Sequence, residues 1–381
     1  MSEPITIRAV ALPGEVRPGD DLAAAILAAF GSAGLTLQDG DILAVASKVV
    51  AKAEGRYLAG LAAEEAVASQ TIRVLAQRRT PTGVARIVES TSGPVLAAAG
   101  VDASNLPDGA GLLALPADPD ASARQLRHRL QHLVDGEHHA PQRVSRIGVV
   151  ITDTLGRPWR VGQTDTAIGA AGVRVLEDLS GTDDTHGRPM RVTLRALADE
   201  IAAAADLVKG KTSGAPVALI RGLADLVGED HPGSVALLRG PADDWFRYGH
   251  AEAARAALGV DPEDLPDTIQ PVTPDDARSR LTRAITVAGN DFRTGDGFRA
   301  GNGFRAGEVQ IDVDEDLPGL RLTPTGSDAA AWVALGVLAQ RLVVAGWAEG
   351  LTLRIGDVAH PAGGTADEKA TLLLTLAPPH P

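Results

Sequence analysis

The sequence contains no cysteine in 381 residues. A disulfide framework, a thiolate metal site and a cysteine nucleophile are all excluded, and a reducing, cytoplasmic setting is expected. Aromatic residues make up only 3% of the chain, too few for a base-stacking platform. Positive charge is also in the minority: 36 Lys and Arg against 49 Asp and Glu leave a net charge of −13. General nucleic-acid binding requires a basic surface and is not expected. The Ala-rich runs are broken by Asp, Glu and Arg, so no 18-residue apolar stretch free of charge reads as a membrane span. The start, Met1-Ser-Glu-Pro, lacks the basic segment and apolar run of a secretory signal. The length fits two or three domains with a substantial core.

The most informative stretch is Ile147–Val173. Ile147–Thr152 is an apolar, β-branched run that reads as a buried strand. It is expected to stop at Asp153 and Thr154, with Gly156, Pro158 and Gly162 breaking regular structure. Asp153, the Thr154 hydroxyl, Arg157 and Arg160 form a set that could hold a divalent cation beside a phosphate. An Asp capping a turn is the plainer alternative.

Other segments carry related chemistry. Thr6–Leu12 reads as a strand leading into Leu12-Pro-Gly-Glu-Val-Arg-Pro-Gly-Asp-Asp-Leu22, where Asp20 or Asp21 caps a helix over Leu22–Phe30. Asp41–Ala46 reads as a strand running into Ser47, with Lys48, Lys52 and Arg56 at helical spacing. That is either a solvated face or a phosphate site; no Walker A pattern is present. Ala62–Gln77 reads as a helix, and Val84–Ser90 and Pro94–Ala98 as strands. Asp102, Ser104 and Asn105 form a second cluster of hard oxygen donors or an Asx-turn. A helix from Asp118 to about Val134 would expose Arg124, Arg127 and Arg129. A helix former covers Ala198–Asp206. Leu207–Pro216 reads as a flexible cationic loop, with Lys209, Gly210 and Lys211 suited to phosphate or to a plain turn. Val217–Ile220 is a further strand. His138 and His139 fall in an expected loop, outside these clusters.

Taken in order, Arg17–Leu22, Gly40–Leu43 with Ser47–Arg56, Ala99–Asn105, Asp118–Ser122, Val149–Gly169, Ala198–Gly210 and Pro216–Gly222 resemble the coenzyme F420-0:L-glutamate ligase family. The resemblance covers about residues 5–245. It implies an α+β, mixed-sheet fold peculiar to that family, assembled as a homodimer. It implies GTP-dependent addition of L-glutamate to F420-0 and γ-linked extension, with Mg2+ or Mn2+ and with K+ admitted. Carried over by motif, Asp102, Asp153 and Thr154 would hold metal. Leu12, Pro13, Glu15, Val16, Ser47, Lys52 and Asn105 would line the GTP site, with Lys209, Gly210 and Lys211 near the phosphates. Asp102, Asp153 and Lys52 would carry catalysis. The family pattern reads Leu-Pro-Glu-hydrophobic at residues 12–16, and this chain inserts Gly14. Neither a nucleic acid nor a membrane is an expected partner.

The chemistry suits these residues. A carboxylate becomes an acyl donor once phosphorylated, and cations offset the repulsion between anionic acceptor and triphosphate. No protein nucleophile is required. The competing readings are a ligase on the same scaffold with another carboxylate or amino acid, and a non-catalytic nucleotide-binding protein. Residues 246–381 read as a smaller α+β domain of unassigned function. Within it Thr325–Leu353 faintly resembles the late helix and strand of a nitroreductase fold, without an Arg-rich segment to hold a flavin phosphate. A Gly-x-x-Phe-Arg unit occurs three times from Gly289 and reads as a mobile loop or hairpin tip. Ala329–Gly346 reads as a helix, and Leu351–Ile355 and Ala370–Leu376 as strands. A chain cut after about Trp245 is expected to remain a soluble ligase.

Overall fold

A computed structural model describes residues 4–104, 106, 111–135, 144–191, 193–210, 213–228, 231–240, 242–273, 275–290, 303–306, 309–313, 319–359 and 370–377. The chain forms two compact units. The first comprises residues up to Arg73 and Val88–Asp244, and the second Val74–Ile87 and the residues from Trp245.

The N-terminal half runs β1 (Thr6–Val10), α1 (Leu22–Ser32), β2 (Ile42–Ala46), α2 (Ser47–Ala53), β3 (Tyr57–Leu58), α3 (Ala63–Ser69), β4 (Thr71–Thr80), β5 (Gly83–Ser90), β6 (Val95–Ala97), β7 (Leu112–Leu113) and α4 (Pro119–Asp135). It continues through β8 (Gly148–Arg157), β9 (Arg160–Ala171), β10 (Glu177–Asp178), β11 (Leu194–Arg195), α5 (Leu197–Lys209) and β12 (Val217–Arg221).

The central sheet has the order β1-β12-β2-β8-β9. Only β2 and β8 are parallel; the other pairs are antiparallel. This is the mixed sheet of an α+β fold. Alternation along each strand separates two apolar faces. Leu43, Val45, Val149, Ile151, Val217 and Leu219 pack with α1 and α4, around Ile26, Phe30, Leu126 and Leu130. Ile42, Ala44, Val150, Ala218 and Ile220 pack with α5 through Ala198, Ile201, Ala202 and Ala205. Strands buried on both faces explain the unbroken apolar runs in the sequence. Asp21 caps α1, its carboxylate accepting from Ala24 N–H at 3.1 Å.

Four local expectations are corrected. The expected helix over 62–77 stops at Ser69, and Thr71–Thr80 is β4, where β-branched Thr71, Ile72 and Val74 favour the extended chain. The strand expected to stop at Asp153 continues to Arg157 and turns at Pro158 and Trp159. Trp159 takes φ 59°, so the expected breakers make a hairpin turn instead. Arg127 is buried, its Nε donating to the Ile147 carbonyl at 2.7 Å, and is no surface cation. Leu207–Lys209 belong to α5 and not to a loop.

The second unit adds α6 (His250–Ala257), α7 (Ala277–Ala288), β13 (Gly303–Ala306), β14 (Val309–Val313), β15 (Gly319–Pro324), α8 (Ala329–Ala348), β16 (Thr352–Ala359) and β17 (Thr371–Ala377). Its sheet is antiparallel throughout, in the order β13-β14-β15-β17-β16. Leu281, Ile285, Leu335, Leu338 and Leu342 pack on Ile311, Leu320, Leu322 and Leu374. The third Gly-x-x-Phe-Arg unit supplies β13, contrary to the expected loop; residues 291–302 lie outside the described residues. Among the described residues one helix, α8, is long and apolar enough to cross a membrane by length and composition, where no such span was expected. Its Leu335, Leu338, Ala339, Leu342 and Ala345 lie in this core.

The hairpin Val74–Ile87 is part of the second unit, whereas the sequence reading kept it with the first 245 residues. Gln77 N–H donates to the buried Glu252 carboxylate at 3.0 Å, and Arg78 pairs with the same group at 3.1 Å. Arg79 N–H donates to the Gln270 carbonyl at 2.7 Å. A chain ended after Trp245 should therefore expose Val74 and Leu75 and aggregate more than the full chain. Replacing 74–87 by a two-residue turn in that shortened chain should restore solubility. Size-exclusion profiles of the three proteins check this, and a soluble, monodisperse 1–245 would contradict it.

Candidate functional site

The candidate residues collect at the C-terminal end of β2 and beside the middle of β8 in the first unit. β2 leads directly into α2, which places Ser47 and Lys48 at the helix start. These adjacent residues each hold one carboxylate. Ser47 Oγ donates to Asp153 Oδ1 at 3.1 Å. Lys48 Nζ pairs with Asp102 Oδ2 at 2.6 Å and also donates to the Ser104 hydroxyl and carbonyl at 2.8 and 2.9 Å. Ser104 N–H in turn donates to Asp102 Oδ1 at 2.7 Å, making the Asx-turn that the sequence allowed.

One turn further along α2, the buried Lys52 reaches Glu15 at 3.1 Å. The loop carrying Glu15 is fixed by Gly19 N–H donating to the Ala53 carbonyl at 2.8 Å. Leu12 and Val16 anchor its ends in the core, while Pro13, Gly14 and Glu15 are exposed. The inserted Gly14 takes φ 80°, with open space where a side chain would stand. The turn thus absorbs the extra residue without disturbing its anchors.

The structure brings Asp102, Asp153, Ser47, Lys52, Glu15 and the Leu12–Val16 turn around α2. It separates Thr154 and Lys209 from that group. Asp153 and Thr154 are neighbours on a strand, so their side chains leave opposite faces. Thr154 Oγ1 donates to Asp165 Oδ1 at 2.8 Å, and Thr152 Oγ1 to Asp165 Oδ2 at 2.9 Å. From the end of α5, Lys209 Nζ donates to Thr152 Oγ1 at 2.6 Å and pairs with Asp165 Oδ2 at 2.9 Å. Lys209 and Asp165 are 3% and 5% exposed. The Lys209 ammonium, expected near phosphate, is committed to Asp165 beneath the sheet. Gly210 caps α5 with φ 58°. Asn105 and Lys211 lie outside the described residues.

Two groups were missed. Lys48 was read as part of a solvated face or a phosphate site and not as the partner of Asp102, and Asp165 was not singled out. Its signal was present: Thr152-Asp-Thr154 and Thr164-Asp-Thr166 flank the Pro158–Trp159 turn, and Thr154 pairs with Asp165 across the hairpin.

The electrostatics differ between the two carboxylates. Burial pushes Asp102 up, but the Lys48 and Ser104 donors outweigh it and hold the carboxyl below its ordinary value. Burial pushes Asp153 up to about 6; Ser47 and the Thr154 N–H pull the other way, and the negative charges of Asp165 and Asp102 add to the rise. A cation would favour the ionised form. Among the described residues no group of three or more His, Asp or Glu could hold an ion. Two carboxylates with hydroxyls nearby nevertheless fit Mg2+, which is commonly held by one or two carboxylates and completed by water and substrate phosphate. Arg157 Nε, on the same hairpin, is buried with no hydrogen-bond partner among the described residues, a donor suited to an anionic oxygen.

The sequence pattern of the F420-0:Gamma-glutamyl ligase family matches residues 12–222. The chain belongs to this family. It is 40% identical over 264 residues to a protein of Methanopyrus kandleri named coenzyme F420:L-glutamate ligase, covering 64% of this chain and 98% of that protein. Proteins with the same name from Haloarcula marismortui and Archaeoglobus fulgidus are 35% and 37% identical. They cover 62% and 55% of this chain, and 94% and 84% of their own lengths. The family segment holds both carboxylates, α2, the β8–β9 hairpin and Lys209.

Two predictions follow from the buried charges. Lys209→Met strands a buried carboxylate and should destabilise the fold by about 3 kcal/mol, the lower end for a broken buried pair because two hydroxyls still serve Asp165. Asp165→Asn combined with Lys209→Met should cost distinctly less. Urea unfolding of Lys209→Met, Asp165→Asn and the double variant measures this, and additive losses would mean that the two groups are not coupled.

Asp153 yields a pH dependence. Its folded-state pKa, about 6, lies above the ordinary 3.8. Between those values the folded chain holds a proton that the unfolded chain has released, so stability falls as pH rises through the window. Asp153→Asn removes that loss. Without metal, its stability relative to wild type should increase by about 2–3 kcal/mol from about pH 4 to about pH 7. A pH-independent difference would leave Asp153 with an ordinary titration.

Proposed function

We propose that this protein is a GTP-dependent ligase that joins L-glutamate to F420-0 and extends the γ-linked glutamate tail. The observation that carries the reading is the placement of Asp102 and Asp153 on adjacent residues of α2, beside Lys52 and the Leu12–Val16 turn. The names of the relatives supply the acceptor and the amino acid.

The reaction has two displacements. The terminal carboxylate oxygen of F420-0 attacks the γ-phosphorus of GTP, the bond to the bridging oxygen breaks, and GDP leaves. The amine of glutamate then attacks the acyl-phosphate carbonyl. Phosphate departs with the carbon–oxygen electron pair, and the amine nitrogen loses its proton as the amide forms. Both steps gather anions, which is the barrier the site must lower. Mg2+ or Mn2+, when bound, supplies positive charge and polarises phosphoryl oxygen. Asp102 and Asp153 would hold it. Ser47 orients Asp153 through its hydrogen bond, and Lys52 places a cation on the nucleotide side of α2. The exposed Pro13-Gly14-Glu15 turn borders that side and is suited to the guanine nucleotide. The assembly proposed is a homodimer, which light scattering tests directly.

Mass spectrometry of F420-0 incubated with the protein, GTP, glutamate and Mg2+ or Mn2+ tests the reaction. Successive glutamate additions that require GTP are expected; no addition with any of these mixtures would reject it. Asp153→Asn should abolish ligation while leaving the circular dichroism spectrum unchanged, because an amide keeps the shape but not the charge that an ion needs. Lys52→Ala should weaken GTP binding by about 1.5–3 kcal/mol and glutamate binding less. Separate titrations of the two ligands distinguish them, and the reverse pattern would move Lys52 away from the nucleotide.

A further inference from the structure

Asp102 is claimed by two cations. Lys48 Nζ lies in a cradle of three oxygens from one turn: Asp102 Oδ2 at 2.6 Å, Ser104 Oγ at 2.8 Å and the Ser104 carbonyl at 2.9 Å. A carboxylate, a hydroxyl and a carbonyl are also the donors that a hard divalent cation selects. The second Asp102 oxygen is engaged too, accepting from Ser104 N–H at 2.7 Å. A divalent ion cannot take Asp102 while the ammonium keeps this position, because two cations would crowd one carboxylate.

The side chain is built to move. Lys48 has a flexible four-carbon stem and a point charge with no fixed geometry. It is a quarter exposed, and Asp102 nearly half. Asp153, the neighbouring carboxylate, already accepts from Ser47 and lacks a cation among the described residues. A divalent ion entering between the carboxylates would relieve Asp153 and displace Lys48. The released ammonium then needs another anionic oxygen, and a polyphosphate arriving with the ion supplies one.

We propose that Lys48 is a displaceable counter-ion of Asp102, and that it makes divalent-ion and nucleoside-triphosphate binding cooperative. The inference rests on the metal and nucleotide reading of this site. The ion alone binds weakly because it must evict an ammonium that has nowhere to go. With the triphosphate present, the ion takes Asp102 and the phosphate takes Lys48. By linkage the ion tightens the nucleotide by the same factor.

The test uses the full chain and Mn2+, with the free ion counted by electron paramagnetic resonance. A non-hydrolysable GTP analogue is the nucleotide probe, and a protein-free titration corrects for Mn2+ held by the analogue itself. Lys48→Met should bind Mn2+ alone at least about fivefold more tightly than wild type, and the tightening caused by the analogue should shrink by a similar factor. Lys48→Arg, which keeps the charge, should retain weak binding of the lone ion. Adding Asp102→Asn to Lys48→Met should remove the gain. Unchanged or weaker Mn2+ binding in Lys48→Met, with strong binding elsewhere in the series, would overturn the counter-ion role while leaving the metal reading intact. A gain that survives Asp102→Asn would overturn it as well. Absence of Mn2+ binding in every protein, with or without the analogue, would remove the metal reading and this inference with it.

Discussion

The two-residue period of β8 governs the site. It sends Asp153 toward α2 and its neighbours Thr152 and Thr154 toward α5. A slip of one residue would exchange the faces, burying Asp153 where Lys209 and Asp165 now meet and turning Val150 and Ile151 to the wrong cores. The register is therefore specified twice. Apolar residues specify it at the N-terminal end of the strand, and the Thr152–Asp165–Thr154–Lys209 cluster specifies it where the strand becomes polar. The buried ion pair is thus part of what aims Asp153, even though it contacts the opposite face of the sheet.

The three carboxylates near this end of the sheet are balanced in different ways. Asp165 is matched by a buried ammonium and two hydroxyls. Asp102, closer to solvent, is matched by the partly exposed Lys48. Among the described residues Asp153 receives a hydroxyl and a backbone N–H and no cation, so burial and the neighbouring negative charges raise it. That gradation distinguishes groups that hold the fold from groups whose charge remains to be used. This end of the sheet thus holds both kinds, a fixed frame and a carboxylate that burial keeps from full ionisation.

Much of this was legible because the sheet is buried on both faces. β2, β8 and β12 read as apolar runs, and the ordered motifs point to α2, the Asp102 turn and Asp153. Three features were not legible, each for a physical reason. The helix expected over 62–77 failed because helical spacing of Ala and Val does not exclude a strand when Thr71, Ile72 and Val74 intervene. Lys209 was read as part of a cationic loop, suited to phosphate or to a plain turn, because lysine is rarely buried; Asp165 and Thr152 on the neighbouring strands make its burial tolerable. Thr154 was grouped with Asp153 as a neighbouring hydroxyl and by the family motif, whereas on the strand the two side chains leave opposite faces.

The hairpin Val74–Ile87 has a consequence for biogenesis. Its partners, among them Glu252 and Gln270, lie about 180 residues later in the chain. At ordinary rates of synthesis the hairpin waits roughly 10–40 s on the ribosome before they emerge. During that interval Val74, Leu75 and the unpaired backbone of Arg79 face solvent or a chaperone. The positive charges of Arg73, Arg78, Arg79 and Arg86 flank this apolar segment, and such charges discourage edge-to-edge association of nascent strands. The chain thus meets its greatest risk of self-association midway through translation, well after the first strands of the ligase sheet have left the tunnel.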